Sequence, residues 1–489
     1  VAGMSKTDRL RALNAKCDVC PLGPKGCLSG GWYNPVMTER HKDDQAIAVA
    51  SHPTVEEVSR GHPFASQDSG GEWNEGLVAA GKHRTNTAIT YAVCCVPPGE
   101  QSGAFERMLK TLDKINKQLE IDGKPTWPSP ADCCRPRLFA ELSEYENIIT
   151  LGKRAFNAVT GESRSILRAR GDFIEFTADW RRLRRDPESQ SLFVGMEPMT
   201  EADVARKVFP TLEPSYIGKS PGWRHDWRED LGKAFRWFEN RLRWVEPLLL
   251  LYPTPAQLLH WFESFKSPFH VVDVETDGIS ALETYLRCVG FATPDLGPDG
   301  LSVMPGAPHD FVARSVGIDI FSGDGVTRHM QPDVEAEIFD ILRYVLSSPK
   351  YLKVAHNGYF DYMVLGRLGS ADGPRTFYPR RGIVPWLPAY DRELVIEPRL
   401  DTLFPTRARA PEQPKGLKTI GTILTDIGHW ETTDSGDKGA TTRDDVARLL
   451  YNTRGDTVVN ARIVKPLVTV AAEYGYFREI EPGPRERRL

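Results

Sequence analysis

From residue 269 to 274 the chain is apolar and rich in β-branched side chains, and it closes on a glycine at 278, a pattern that predicts a buried strand ending in a turn. A second short apolar run around Val354 leads into a helical stretch over 362–368, with Asp361 in its first turn. The residues from 442 to 464 are strongly helical in pattern, and Asp445, Leu449, Asn452 and Asp456 recur there at one-turn spacings. Between 231 and 251 aromatic, aliphatic and basic residues alternate at helical spacing, ending in four consecutive leucines. A break at Tyr252-Pro-Thr-Pro follows, and a new helix capped by Thr254, with Pro255 in its first position, runs through Trp261.

With 489 residues the chain is too long for one hydrophobic core and suits two domains of roughly 200–250 residues. Its formal net charge of −4 argues against a protein that coats nucleic acid along its whole surface. A basic cluster of Arg164, Arg168, Arg170, Arg181, Arg182, Arg184 and Arg185 is either a phosphate contact or an ion-paired, solvated face. No long apolar run or secretory leader is visible, so a cytoplasmic protein that does not engage a membrane is expected.

Asp273 and Glu275 lie two residues apart on the predicted strand and therefore project from one face. Two neighbouring carboxylates repel each other and lose hydration, which a bound divalent cation relieves. Asp361 and Asp456 bring the number of acids to four, delivered by one strand and two helices. Four such carboxylates can hold a pair of Mg²⁺ or Mn²⁺ ions and support in-line phosphodiester hydrolysis. The first half of the chain carries Cys17-x-x-Cys20, Cys94-Cys95 and Cys133-Cys134, with Cys27 and, in the second half, Cys288 left over. In an intracellular protein such spacing favours a metal or iron–sulfur site over disulfides, and zinc is the plain alternative.

Asp-Val-Glu-Thr-Asp-Gly at 273–278, Ala-His-Asn-Gly-Tyr-Phe-Asp at 355–361, Asp401-Thr402, Gly-Leu-Lys-Thr-Ile at 416–420 and Tyr451-Asn452 leading to Asp456 resemble the DEDD 3′-to-5′ exonucleases. The likeness is to the proofreading domain of phage-type family-A DNA polymerases and covers about 265–475. It implies that Asp273, Glu275, Asp361 and Asp456 ligate two metal ions and that Thr276 and Asn357 contact substrate. The family's tyrosine stands four residues before the last acid; here Asn452 holds that place and Tyr451 lies one residue earlier. Either a bulge near Gly455 restores Tyr451 or Asn452 does the polar work of orienting water.

A second resemblance covers about 15–240. Cys17-Asp-Val-Cys-Pro-Leu, Gly61-His-Pro-Phe, Cys95-Val-Pro-Pro-Gly, Cys134-Arg-Pro, Ile149-Thr-Leu-Gly-Lys and Phe209-Pro-Thr-Leu-Glu-Pro-Ser-Tyr follow the order of iron–sulfur uracil-DNA glycosylases, with a helical insertion at 103–130. The resemblance implies a 4Fe-4S cluster on Cys17, Cys20, Cys95 and Cys134, with Cys94 and Cys133 as adjacent competitors. The family's catalytic acid is replaced by Ser51 and its catalytic histidine by Glu213, so a glycosylase fold without excision is expected.

These readings give an α/β chain of two domains, a uracil-glycosylase-like α/β/α sandwich over 1–240 and a ribonuclease H-like exonuclease over 268–475. A helical connector at 241–267 would join them, and a polar tail would occupy 476–489. The exonuclease is expected to have a mixed sheet of five or more strands with its active site at the sheet's edge. The implied function is proofreading of a single-stranded or primer–template DNA 3′ end in a phage-type replication complex, beside a family-A polymerase on a separate polypeptide. A repair glycosylase with an accessory nuclease, or a polymerase-bracing scaffold, is the alternative.

Overall fold

In the first half of the chain four short apolar runs become strands buried on both faces, which is the environment of a parallel sheet. They are β1 (Ala46–Ala50), β2 (Thr87–Tyr91), β3 (Asn147–Leu151) and β5 (Arg206–Thr211); the short β4 (Ile174–Phe176) pairs antiparallel with β5. The order is β2-β1-β3-β5-β4, with the first four parallel. Because alternate strand residues face opposite ways, Ala48, Ala50, Ile149 and Phe209 pack with Trp73, Trp227 and Leu231 on one side. Ile47, Val49, Ile148 and Val208 pack with Leu138, Leu142 and Val159 on the other. The result is a three-layer α/β/α sandwich. The expected helical insertion is a helix over Ala104–Ile121.

The computed structural model describes residues 4–28, 34–98, 103–176, 206–242, 248–264, 269–276, 286–293, 314–319, 330–366, 396, 398–409, 416–427, 459 and 461. Two compact units emerge, Val1–Leu242 and Arg243–Leu489. Among the described residues no helix is long and apolar enough to cross a membrane.

The second unit is a mixed six-stranded sheet in the order β11-β10-β7-β8-β9-β6. Its strands are β6 (Leu248–Leu251), β7 (Phe269–Thr276), β8 (Leu286–Thr293), β9 (Arg314–Asp319), β10 (Leu352–Ala355) and β11 (Pro398–Asp401). β7, β8 and β9 form an antiparallel meander, while β10 and β11 continue parallel to β7. This is the ribonuclease H-like arrangement. Val272 and Val274 of β7 face a core with Leu258, Phe262, Ile338, Leu342 and Leu346, contributed by helices over Pro255–Glu263 and Pro332–Ser347.

Two expectations about local structure change. The four leucines at 248–251 are the strand β6, paired in parallel with β9, and do not end a helix. A continuous apolar run carries no helical period, so the available edge of β9 decides its conformation. The helix after the break starts as expected: the Thr254 hydroxyl accepts the Gln257 N–H at 3.3 Å and Gln257 Oε1 accepts the Thr254 N–H at 2.9 Å. Strand and helix both belong to the second unit's sheet and core, so 248–263 is not a free-standing helical connector.

His270 on β7 is buried among Trp261, Phe262 and Tyr351, and its Nδ1 finds no hydrogen-bond partner among the described residues. Burial, with Lys353 and Lys350 nearby, pushes its pKa down to about 3. The unfolded chain takes up this proton near pH 6.5 and the folded chain only near 3, so stability falls as pH drops through that window. The full effect is up to about 5 kcal/mol. His270→Phe is expected to remove much of the acid sensitivity of the second unit, seen as a smaller shift of its urea midpoint between pH 7 and pH 4. An unchanged shift would show that other groups govern acid unfolding.

Candidate active site

On β7 the core-facing valines alternate with Asp273 and Glu275, both half-buried, so the two acids share the opposite face as the period-2 pattern requires. The parallel pairing of β7 with β10 runs only from Phe269↔Leu352 to Val271↔Val354. Beyond it the neighbouring chain turns away into the helix Tyr359–Gly366. The Val274 N–H, left without a strand partner on that side, donates to Asp361 Oδ1 at 3.0 Å. A buried carboxylate from the helix's first turn is thereby fastened to the backbone between Asp273 and Glu275. The helix begins at Tyr359, three residues earlier than the sequence pattern predicts. β7 is also an interior strand, so the acids sit at the carboxyl ends of the sheet's central strands and not at its edge.

The turn that delivers Asp361 is specified residue by residue. Asn357 has φ 59°, a left-handed conformation that asparagine tolerates better than most residues. A Cβ on Gly358 would lie 2.4 Å from Ala355 Cβ, so only glycine fits. Asp401, at the end of β11, holds this turn: Oδ1 accepts the Asn357 N–H at 2.8 Å and the Leu403 N–H at 2.9 Å, and Oδ2 accepts the Gly358 N–H at 3.0 Å. His356 Nδ1 lies 2.9 Å from the Thr402 hydroxyl, which in turn donates to the Ala355 carbonyl at 3.2 Å. Asp401 was visible in the sequence only as part of a motif; its capping role depends on β10 and β11 being neighbours.

Thr276 is buried at the end of β7, one residue beyond Glu275. Asp456, Asn452 and Tyr451 lie outside the described residues. Among the described residues no three His, Cys, Asp or Glu side chains are spaced to enclose a metal ion. The donor type nevertheless suits a hard divalent cation, since Asp273, Glu275 and Asp361 offer only carboxylate oxygens.

In the first unit Cys17, Cys20, Cys94, Cys95, Cys133 and Cys134 are all buried and none forms a disulfide. A hydrogen bond with Cys133 lowers the Cys20 pKa. Burial raises Cys95 well above the ordinary thiol value, and Cys134, Cys94, Cys20 and Cys17 all add to that rise. Burial likewise pushes Cys134 up to about 11, against the lowering effect of Arg137. Cys20, Cys95, Cys133 and Cys134 pack in one apolar cluster, and Cys17 and Cys94 in another.

At the carboxyl ends of β1 and β5 the structure brings Ser51 beside Glu213: the Ser51 backbone hydrogen-bonds the Glu213 carboxyl, whose pKa burial pushes up to about 7. Residues 42–268 match the family model of the uracil DNA glycosylase superfamily. The glycosylase-like match therefore takes in the sandwich from β1 onward, together with β6 and the helix Pro255–Glu263.

No curated protein sequence matches the chain. Among solved structures, one described as the apo form of the nuclease is 14% identical with a TM-score of 0.28, covering 48% of this chain and 86% of its own. Brucella melitensis NrnC bound to pGG is 16% identical with a TM-score of 0.24 over 49% of this chain and 98% of its own. The same protein with bound Mg²⁺ gives 16% and 0.22 over 48% and 95%.

The glycosylase-like unit also accounts for part of the arginine cluster. Arg170 is buried and bidentate to Asp230 at 2.9 and 3.0 Å, and Arg164 pairs with Asp172 at 2.8 Å. Both serve internal ion pairs. Arg181, Arg182, Arg184 and Arg185 lie outside the described residues, as does the side chain of Arg168.

Proposed function

We propose that the second unit is a metal-dependent 3′-to-5′ exonuclease that trims single-stranded or frayed DNA ends. The observation that carries this reading is the Asp361 carboxylate bonded to the Val274 N–H, between two acids of one strand face. Asp273, Glu275 and Asp361, with Asp456, would hold two Mg²⁺ or Mn²⁺ ions, which supply water activation and charge neutralisation in phosphodiester hydrolysis. The chain's own part is to keep these carboxylates in place through the Asp401-capped turn. Asn357 and Thr276 would position the terminal nucleotide, and Asn452 or Tyr451 would orient the attacking water. A 5′-labelled single strand incubated with the protein and Mg²⁺ is expected to give a ladder of products shortened from the 3′ end, abolished by EDTA. An intact strand, or cleavage that begins internally, would overturn the assignment.

In the same proposal the first unit is a glycosylase fold that does not excise uracil, because Ser51 and Glu213 stand where the family's acid and histidine would be. The six buried thiols suit an iron–sulfur cluster in donor type, and Cys17, Cys20, Cys95 and Cys134 would be its ligands. Protein isolated without oxygen should be brown and hold about four irons per chain. Single Cys→Ser changes at those positions should lose the colour, and stoichiometric zinc without iron would reject the cluster. A separate family-A polymerase that hands over frayed 3′ ends completes the reading as a proofreading subunit, and co-purification from the native source is its test.

A further inference from the structure

The N–H groups that Asp401 holds belong to two separate segments, and each segment continues into an exposed aromatic residue. Gly358 is followed by Tyr359, 76% exposed, and Leu403 by Phe404, 50% exposed. Consecutive Cα atoms are about 3.8 Å apart, so both rings start beside the same carboxylate. Their neighbours turn inward: Phe360 packs against the second unit's core, and Leu403 is buried. Each helix therefore has its own anchor, and the two rings are surplus to the core. Single exposed aromatics are ordinary, whereas two brought to one spot mark a contact surface. A cation shares that surface. Arg407 lies three residues after Phe404 in the helix Leu403–Arg409, a spacing that puts both side chains on one side, and it too is exposed. Among the described residues no carboxylate pairs with it. Tyr359 stands two residues before Asp361 in the same turn. Residues two apart do not share a helix face, so the ring sits at the rim of the acid site and not over its carboxylates.

We propose that Tyr359, Phe404 and Arg407 form a track for the unpaired strand that leads up to the scissile 3′ nucleotide, the two rings stacking on bases and the guanidinium contacting a phosphate. The inference rests on the exonuclease reading for its substrate, and deepens it by naming how the chain selects an unpaired end. Every base has a π face, so such a track tolerates any sequence. Bases inside a duplex already stack on one another and do not offer that face, so a paired end must fray before it is held. A nucleic acid strand satisfies rings and cation together. An apolar protein surface would cover the rings and leave the Arg407 charge buried without a partner, which is costly. Because the rings meet neighbours of the scissile nucleotide and not the reacting atoms, they are positioning residues that act on strand affinity and KM.

The experiment follows binding of a fluorescein-labelled oligothymidine by anisotropy, in the full chain carrying Asp273→Ala and Glu275→Ala so that the strand stays intact. Tyr359→Ala and Phe404→Ala should each weaken binding by about ten-fold, in the range for loss of one stacked base, while Tyr359→Phe keeps the ring and should bind as the parent does. Arg407→Gln should reduce the slope of log affinity against log salt by about 0.7, the share of one phosphate contact on a single strand, and the ring changes should leave that slope unaltered. A single abasic residue moved through the last positions of the strand tests the same contacts with the parent protein alone. The parent should lose affinity where a base next to the terminal nucleotide is missing, and an alanine variant should be indifferent to the base that its ring would have met. Unchanged affinity in both alanine variants, equal losses in Tyr359→Phe and Tyr359→Ala, or a parent that binds every abasic strand as tightly as the intact one would overturn the proposal. With the acids restored, the alanine variants should raise KM and keep kcat within about two-fold of the parent. Absence of 3′-end removal by the unaltered chain would defeat the exonuclease reading by itself, since the binding measurements need no hydrolysis, so the two failures are separable.

Discussion

Replacing Asp273 and Glu275 together by alanine is expected to lower 3′-end removal by at least about a thousand-fold, with little loss of folded protein. Metal-ion stabilisation of a phosphodiester transition state is worth several kcal/mol, and each 1.36 kcal/mol is a factor of about ten in rate. Fold retention follows from the strand's two-sidedness: the valines at 272 and 274 pack in the apolar core, and the two acids lie on the opposite face. Removing like charges from one strand face also relieves repulsion, so a slight rise in thermal stability in metal-free buffer is expected. The measurement pairs initial rates on a labelled single strand with a thermal melt. Retention of more than a tenth of the parental rate would place the chemistry elsewhere in the chain.

Asp401→Ala should act differently, by loosening a site whose ligands are all still present. The change removes the acceptor for three backbone N–H groups, those of Asn357, Gly358 and Leu403. Hydrogen bonds to a charged acceptor contribute about 1.5–3 kcal/mol each when well buried, and these are partly exposed, so a total loss of about 2–4 kcal/mol is expected. Asn357 would no longer be held in its left-handed conformation, and Asp361, four residues on, would lose its fixed approach to the Val274 N–H. A misplaced ligand is expected to lower activity about a hundred-fold, with partial recovery at high Mg²⁺ or Mn²⁺. Asp401→Asn keeps one acceptor oxygen and should fall in between. A normal rate and a normal denaturation midpoint in Asp401→Ala would show that the turn is held by other means.

The acidic pattern on β7 was legible from the chain alone because a strand's period is two: Asp273 and Glu275 share a face wherever the strand lies. The same holds for the Thr254 cap, which depends on groups within four residues. Motif order at 355–361 placed Asp361 in a helix's first turn for the same reason, apart from an early start at Tyr359. The tetraleucine at 248–251 was not legible, since an apolar run without a period takes the form that its neighbour's free edge allows.

Long-range partners were decided only by the tertiary structure. Periodicity does not order strands in a sheet, so it could not put β7 in the interior, nor show that β10 ends its pairing at Val354 and leaves the Val274 N–H for Asp361. Asp401 became a cap because β11 lies beside β10. Glu213 is the sharpest case: the sequence shows only a carboxylate after a strand, with nothing to say how it titrates. Burial pushes its pKa up to about 7, against the lowering effect of the Ser51 backbone and Arg154. Residue identity and spacing travel with the chain, whereas desolvation and the field of distant charges exist only once the chain has folded.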